Sequence, residues 1–394
     1  MSSRSLIAGV GMTAFCTPSK SAAYPTLATE AICEALGDAG LSYQDVAQVY
    51  VGYVYGDSTS GQRALYEVGL SGVPIINVNN NCSTGSTALY LARQAVECGA
   101  AECVLAVGFE QMARGALGSQ YADRPDPMDR FLEATDRRHG PSEAPMALRL
   151  FGGAARDYAA RYGTKPQTFA QITVKARKHA SRNPKAVFRD EVSVEQVLNS
   201  PMVFDPLTRL QCCPPTCGAA AALVVSPAYA KQRGLRADVA IAAQALTTDT
   251  DATFRGDLTA IVGQQMSAEA ARRVYESAGI GPEDINVVEL HDCFTSNEII
   301  SYEALGLARE GRAEQLIADG DNTFGGRYVV NPSGGLLSKG HPLGATGLGQ
   351  CYELVHQLRG SAGPRQVEAA RLALQHNIGL GGACVVTLYE KVNR

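Results

Sequence analysis

Residues 75–92 read Ile75-Ile-Asn-Val-Asn-Asn-Asn-Cys82-Ser-Thr-Gly-Ser-Thr-Ala-Leu-Tyr-Leu-Ala92. The β-branched start suits a short buried strand. The small residues from Gly85 onward, with Leu89, Leu91, Ala92, Ala95 and Val96, suit a buried or amphipathic helix. Between them lie three asparagines, Cys82 and Ser-Thr-Gly-Ser, side chains that make turns and cap helices. Cys82 is therefore expected where a strand turns into a helix. Unpaired N–H groups and the helix dipole at such a place favour a thiolate, lowering a free-thiol pKa of about 8.5. A buried structural cysteine is the competing reading.

An internal repeat extends this stretch into a fold. A helix over Glu30-Ala31 to Ala39-Gly40-Leu41 leads through Asp45-Val46 into the strand Val49–Tyr55. The same sequence of features returns as Glu269-Ala270 to Ala278-Gly279-Ile280, then Asp284-Ile285 and the strand Val287–Leu290. Cys82-Ser-Thr-Gly85-Ser-Thr87-Ala-Leu89 is echoed by His341-Pro-Leu-Gly344-Ala-Thr346-Gly-Leu348. One α/β unit thus occurs twice, with Cys82 and His341 in equivalent places at the starts of two helices. Packing about a pseudo-twofold axis would bring both helix N-termini to one site. The expected organisation is 1–110 plus 219–236 as an N-terminal half, 111–218 as an inserted lobe, and 237–394 as a C-terminal half. The insertion is too long for a loop, with helices expected over Met146–Arg161 and Phe169–Ser181. The second half should end in strands Leu372–Gln375 and Cys384–Tyr389, joined by the hairpin His376-Asn-Ile-Gly-Leu-Gly-Gly382.

Composition narrows the function classes. A chain of 394 residues, 45% hydrophobic with net charge −4, is long enough for a packed core and more than one domain, and its weak acidity argues against a dedicated nucleic-acid surface, which would normally show a basic stripe. It has no apolar run of about 18 residues for a membrane span. Neither a secretory signal at Met1–Gly9 nor a terminal Ser-Lys-Leu at Lys391–Arg394 is present. The expected location is cytoplasmic for a bacterial-type chain, or peroxisomal without that signal for a eukaryotic one. Eleven cysteines show no CxxC spacing, and Cys212, Cys213 and Cys217 lack partners for a zinc site, so reduced thiols are expected. Gly9-Val-Gly11 makes a poor dinucleotide loop, because Pro18 and Pro25 intervene before any helix.

Three motifs of the second half accompany Cys82. Glu289-Leu-His291-Asp-Cys293-Phe294-Thr-Ser-Asn-Glu298 lies where a buried strand ends, and both His291 and Cys293 can reach one crevice there. A metal pair lacks further ligands at good spacing; a structural role is the plain alternative. Asn331-Pro-Ser-Gly-Gly335 precedes Gly340-His341-Pro-Leu-Gly-Ala-Thr-Gly347. His341 mirrors a candidate nucleophile and so is a candidate general base. Asn377-Ile-Gly379-Leu-Gly-Gly382 is dense in glycine, and its N–H groups suit either an oxyanion or a tight turn.

These stretches resemble the thiolases, and within them the sterol carrier protein X type. Further matching segments are Gly52-Tyr-Val-Tyr-Gly-Asp-Ser58, Gln211-Cys-Cys-Pro214 and Asp321-Asn-Thr-Phe-Gly-Gly326. The resemblance implies a five-layered αβαβα thiolase fold, here without the small lipid-carrier domain. It implies a thiolase cleaving 3-oxoacyl-CoA with coenzyme A, in fatty-acid or sterol side-chain breakdown. Cys82 would carry the acyl group with His341 as base, and His341 with His291 would hold the first oxyanion. The N–H groups of Cys82 and Gly379 would hold the second. Ordinary thiolases carry Asn-Glu-Ala-Phe at His291–Phe294 and a cysteine at Asn377. The implied substitute for that thiol is Cys293; were Cys293 not to serve, His376 would be the next group to handle the proton. Coenzyme A is expected as substrate, with no tightly bound cofactor or metal. Its nucleotide-binding residues are open, with Arg177, Lys178, Arg182 and Lys185 as cationic candidates. The expected assembly is a homodimer or tetramer. The alternatives are a thiolase-like retro-aldolase acting on steroid side-chain thioesters, and a non-catalytic acyl-lipid binding protein.

Overall fold

The computed structural model describes residues 4–113 and 121–392. The outermost residues read for targeting signals, and residues 114–120 of the insertion, lie outside the described residues. Twelve strands occur among those described: β1 (Leu6–Met12), β2 (Gln48–Gly52), β3 (Ile75–Val78), β4 (Cys103–Glu110), β5 (Met202–Phe204), β6 (Leu207–Thr208), β7 (Gly218–Val225), β8 (Val239–Thr247), β9 (Val287–Glu289), β10 (Val329–Val330), β11 (Leu372–Gly379) and β12 (Ala383–Lys391). β5 and β6 pair with each other, and the other ten form one sheet in the order β10-β9-β11-β12-β8-β1-β7-β4-β2-β3. Its seam is short: β1 meets β8 through Leu6 opposite Ala240 and Ile7 opposite Val239.

Outward from that seam the two halves have one topology. The first runs β1-β7-β4-β2-β3 and the second β8-β12-β11-β9-β10. In each, the two pairings nearest the seam are antiparallel and the two farther out are parallel. The sequence echo is therefore an echo of strand order. Left-handed Gly40 and Gly279, at φ 66° and 70°, end the equivalent helices Tyr24–Ala39 and Gln264–Ala278.

Side-chain alternation along the strands builds three apolar layers. In β4, Leu105 and Val107 face the helix Tyr24–Ala39, while Val104 and Ala106 face the middle of the molecule. Burial of both faces explains the unbroken apolar run of that strand. The middle layer holds helices Thr84–Glu97 and Thr346–Arg359, with Leu89, Leu348 and Leu354 packed against Val224, Val287 and Ala373. The third layer joins Val288, Leu374 and Leu388 to helix Gln264–Ala278 and to helices Met146–Tyr162 and Pro166–Ala180 of the insertion. The result is helix, one half of the sheet, helix, the other half of the sheet, helix, with an added lobe. No described helix is long and apolar enough to cross a membrane.

One glycine pair gains a packing role, and one local expectation changes. A Cβ on Gly9 or Gly11 would lie 2.2 Å from the Ala35 carbonyl oxygen or 2.1 Å from that of Ala31, so these glycines let a helix lie against β1. The closing hairpin is also shorter than its glycine density suggested. β11 and β12 pair without a break from Leu372–Glu390 to Gly379–Ala383, and the turn is Leu380–Gly382, with Gly381 and Gly382 at φ 93° and 99°. His376 and Asn377 are therefore buried strand residues.

Candidate active site

After β3, five residues turn the chain into the helix Thr84–Glu97. Asn81 takes a left-handed φ of 51°, a conformation its short polar side chain tolerates. The Ser83 hydroxyl donates to the Asn80 carbonyl at 2.8 Å, and the Asn80 N–H donates to Thr84 Oγ1 at 2.8 Å. The equivalent turn after His341 leads into Thr346–Arg359. Glycine lets the two turns touch: a Cβ on Gly85 would sit 2.7 Å from the Gly344 oxygen, and one on Gly347 2.1 Å from Ser86 Oγ. Cys82 Sγ and one ring nitrogen each of His291 and His341 consequently lie within 4.8 Å of one another. His291 follows β9, and its ring stands edge-on to His341 at 5.0 Å between centroids and 88°.

Cys293 is buried two residues beyond His291, and its carbonyl accepts the Cys213 N–H at 2.8 Å. Burial, reinforced by the neighbouring Cys213, Cys82 and Asp292, pushes its thiol well above the ordinary range. Gly379 ends β11 against the Cys82 turn, where a Cβ would lie 2.0 Å from the Asn80 oxygen. The amides facing the Cys82 sulfur are its own and that of Leu380, one residue beyond the glycine singled out in the sequence. Asn81 Nδ2 donates to the Leu380 carbonyl at 3.2 Å and ties the hairpin to this turn.

The resting protonation differs from the expectation drawn from a helix start. Burial, with Glu110 next in weight, pushes the Cys82 thiol up to about 12, outweighing the two amides. Burial and the Lys339 charge lower His341 to about 3, so it is neutral. Its proton can be located. The Thr346 hydroxyl donates to the Pro342 carbonyl at 2.9 Å, so at 2.7 Å from His341 Nδ1 it must accept. Nδ1 carries the hydrogen, and Nε2, buried and without a hydrogen-bond partner among the described residues, keeps an open lone pair for the thiol.

Glu110 was missed in the sequence, where it reads as the polar end of an apolar strand. Fully buried, it accepts N–H groups of Val54 and Tyr55 at 3.1 and 3.0 Å and of Gly344 at 3.0 Å. It thereby pins the His341 turn to the first half. Burial raises its carboxyl to about 7 despite those donors. His376 is committed elsewhere, with Nε2 2.8 Å from Ser267 Oγ and Nδ1 accepting the His291 N–H at 3.5 Å. The cationic candidates are dispersed. Lys185 pairs with Glu34 at 2.8 Å, Arg177 and Arg182 stack on Phe188 and Phe324, and Lys178 is exposed. A cavity of about 330 Å³ opens instead beside Gly381 of the hairpin, lined by Arg130, Phe131, Asp249, Thr250, Asp251 and Phe254, so that it carries two carboxylates beside its one guanidinium. A second, of about 220 Å³, shares Phe254 and adds Arg137 and Arg138.

Comparison with known proteins gives this geometry a context. Residues 5–228 match the family model "Thiolase, N-terminal domain" and residues 246–389 match "Thiolase C-terminal domain-like". The chain is 54% identical to "Sterol carrier protein 2" of Rattus norvegicus over 392 residues, spanning 98% of this chain and 72% of that protein. The solved structure "Ltp2-ChsH2(DUF35) aldolase" superposes with a TM-score of 0.85 at 26% identity, covering 99% of this chain and 98% of that one. Human mitochondrial 3-ketoacyl-CoA thiolase in complex with CoA gives 0.76 at 17% identity, covering 99% and 98%, a likeness of fold. With family models matched along most of its length and a relative more than half identical across nearly all of it, this chain belongs to the thiolase family.

Proposed function

We propose that the chain cleaves 3-oxoacyl-CoA with coenzyme A, through an acyl group carried on Cys82. The observation that carries this reading is the convergence of Cys82 Sγ with His291 and His341 within 4.8 Å, with an open nitrogen on His341. His341 Nε2 takes the thiol proton as Cys82 attacks the 3-keto carbon, and His291 and His341 attend the oxyanion. The C2–C3 bond then breaks, leaving the acyl group on Cys82 and an enolate of the departing acyl-CoA. Cys293 protonates that enolate at C2; a thiol held neutral by its surroundings is suited to donating there. Acetyl-CoA leaves, or propionyl-CoA when the substrate is 2-methyl-branched. A second CoA thiol gives its proton back to Cys293 and attacks the Cys82 thioester. Amides of Cys82 and the hairpin at Gly379 and Leu380 serve that second oxyanion.

The cleft from Arg137 and Arg138 past Phe254 to Gly381 is the proposed path of CoA, cationic at its outer end and leading to the hairpin beside Cys82. No tightly bound cofactor enters this scheme. We also propose a homodimer joined at β3. That strand is an edge of the sheet, an open template for pairing, and the nearby Tyr66 and Leu70 are exposed apolar side chains.

The aldolase likeness favours one rival, retro-aldol cleavage of a 3-hydroxyacyl thioester, which needs neither Cys82 acylation nor free CoA. The deciding experiment supplies acetoacetyl-CoA, a longer 3-oxoacyl-CoA and a 3-hydroxyacyl thioester. CoA-dependent loss of enolate absorbance, with an acylated Cys82 peptide by mass spectrometry, is the expected result. CoA-independent cleavage of the hydroxy thioester alone would establish the aldolase, and binding without turnover would establish a lipid-binding protein.

A further inference from the structure

A buried row of polar side chains runs from β12 to His291, and its hydrogens can be assigned one by one. The Tyr389 hydroxyl donates to Gln375 Oε1 at 2.5 Å, so the Gln375 amide nitrogen faces the other way. There it donates to the Gly347 carbonyl at 2.7 Å and to Ser86 Oγ at 2.8 Å. Ser86, already an acceptor, directs its own hydrogen to Asn377 Oδ1 at 2.8 Å. That leaves Asn377 Nδ2 facing His291 Nδ1 at 2.8 Å. Tyr389, Gln375, Ser86 and Asn377 are all fully buried, so water cannot substitute for a mismatched partner.

We propose that Asn377, with Ser86 and Gln375 behind it, is a positioning residue that fixes the tautomer of His291. Nδ1 accepts from Asn377, so the ring hydrogen lies on Nε2, and His291 presents a donor to the site. His341, held by Thr346 in the opposite tautomer, presents a lone pair. Two histidines side by side thereby take complementary parts, one receiving the thiol proton and the other donating to an oxyanion. The reverse tautomer would set a ring N–H against an amide N–H in a dry interior. That mismatch disfavours it by a factor on the order of 10 to 100. The same assignment argues against a resident metal on Cys82, His291 and His341, since the inner nitrogen of His291 has no lone pair to give. The position that lacks a titratable thiol thus acts through its polarity.

The kinetic part of the test rests on the thiolase reading; the spectroscopic part does not. The full chain, labelled with ¹⁵N-histidine, is examined by NMR, with the His291 ring signals identified by their loss in His291→Ala. The native protein should show His291 Nε2 as the protonated nitrogen and Nδ1 as the bare one, and His341 the reverse. In Asn377→Asp the carboxylate accepts from Nδ1, so the His291 pattern should invert. Carbon–carbon cleavage should fall by a factor on the order of 10², with KM for CoA unchanged. Ser86→Ala, which frees the Asn377 amide to turn, should give mixed tautomers and an intermediate rate; it carries the test if Asn377→Asp does not fold. A hydrogen on Nδ1 of native His291, or a native pattern in every folded variant of the two, overturns the proposal. The expected tautomers in a protein without thiolysis would refute the proposed function and leave the tautomer assignment standing.

Discussion

Alkylation of Cys82 across a pH series, in the native chain and in His341→Ala, tests how the thiol loses its proton. The thiol stands at about 12 and the imidazole at about 3. Moving the proton between them crosses 12 minus 3, about nine units, or roughly 12 kcal/mol at about 1.36 kcal/mol per unit. Attraction between the resulting ions, within 4.8 Å of each other, returns about 3.5 kcal/mol at an effective dielectric constant near 20. The remaining cost, about 9 kcal/mol, puts a resting ion pair at roughly one part in 10⁶. Cys82 should therefore react slowly with iodoacetamide at neutrality, after the exposed Cys33 and Cys98. Its rate should climb about tenfold per pH unit without a plateau. The thiolate forms as the substrate is attacked, so His341→Ala should slow acylation by about 10² to 10⁴ even at saturating substrate. Rapid-quench mass spectrometry of the acyl-enzyme burst measures this. A rate plateau between about pH 6 and 8 in the native chain would indicate a preformed thiolate–imidazolium pair. That outcome, or an unchanged burst in His341→Ala, would refute the reasoning.

Other perturbations probe separate parts of the site. Cys82→Ser, nearly equal in size, should abolish acyl-enzyme formation and thiolysis with an unchanged circular dichroism spectrum and melting curve. Cys293→Ala should still accept an acyl group from a simple acyl-CoA yet fail at C–C cleavage and at deuterium wash-in to the acetyl-CoA methyl; native wash-in rates would reassign the proton donor. Glu110 is raised from about 4.5 to about 7 on folding, so between those values the folded chain binds more protons and loses stability as pH rises, by about 3 kcal/mol at most. Denaturant unfolding of Glu110→Gln at the two ends of that window should show a flatter dependence than the native chain. Gly347→Ala places a Cβ 2.4 Å from the Ser86 backbone nitrogen, so it should destabilise by about 1–3 kcal/mol and displace the His341 turn. Unaltered urea midpoint and turnover would show that the two helix starts do not need this contact.

The residues legible in the sequence were those whose role shows in their own few neighbours. Cys82 and His341 each stand in a turn that leads into a helix, and the shared spacing of glycine, threonine and leucine after them marked the turns as equivalent. The strand order itself was not legible; the structure shows it repeated in the two halves, as a repeated α/β unit requires. What the sequence concealed depends on separations that only folding closes. Glu110 matters because amides 55, 56 and 234 positions away converge on it, a meeting no local pattern announces. The resting state of Cys82 was misjudged for a related reason. A helix start is a local feature that favours a thiolate, whereas burial and a nearby carboxyl are tertiary and pull harder the other way. Asn377 combines both lessons. In the sequence it registered as a missing thiol, a statement about what one side chain cannot do. In the fold its amide is oriented by Ser86, which lies 291 positions earlier, and that orientation decides which nitrogen of His291 bears a hydrogen. On the proposed assignment, position 377 supplies a fixed donor to His291 where a thiol is absent, and the proton transfer proposed for this site falls to Cys293.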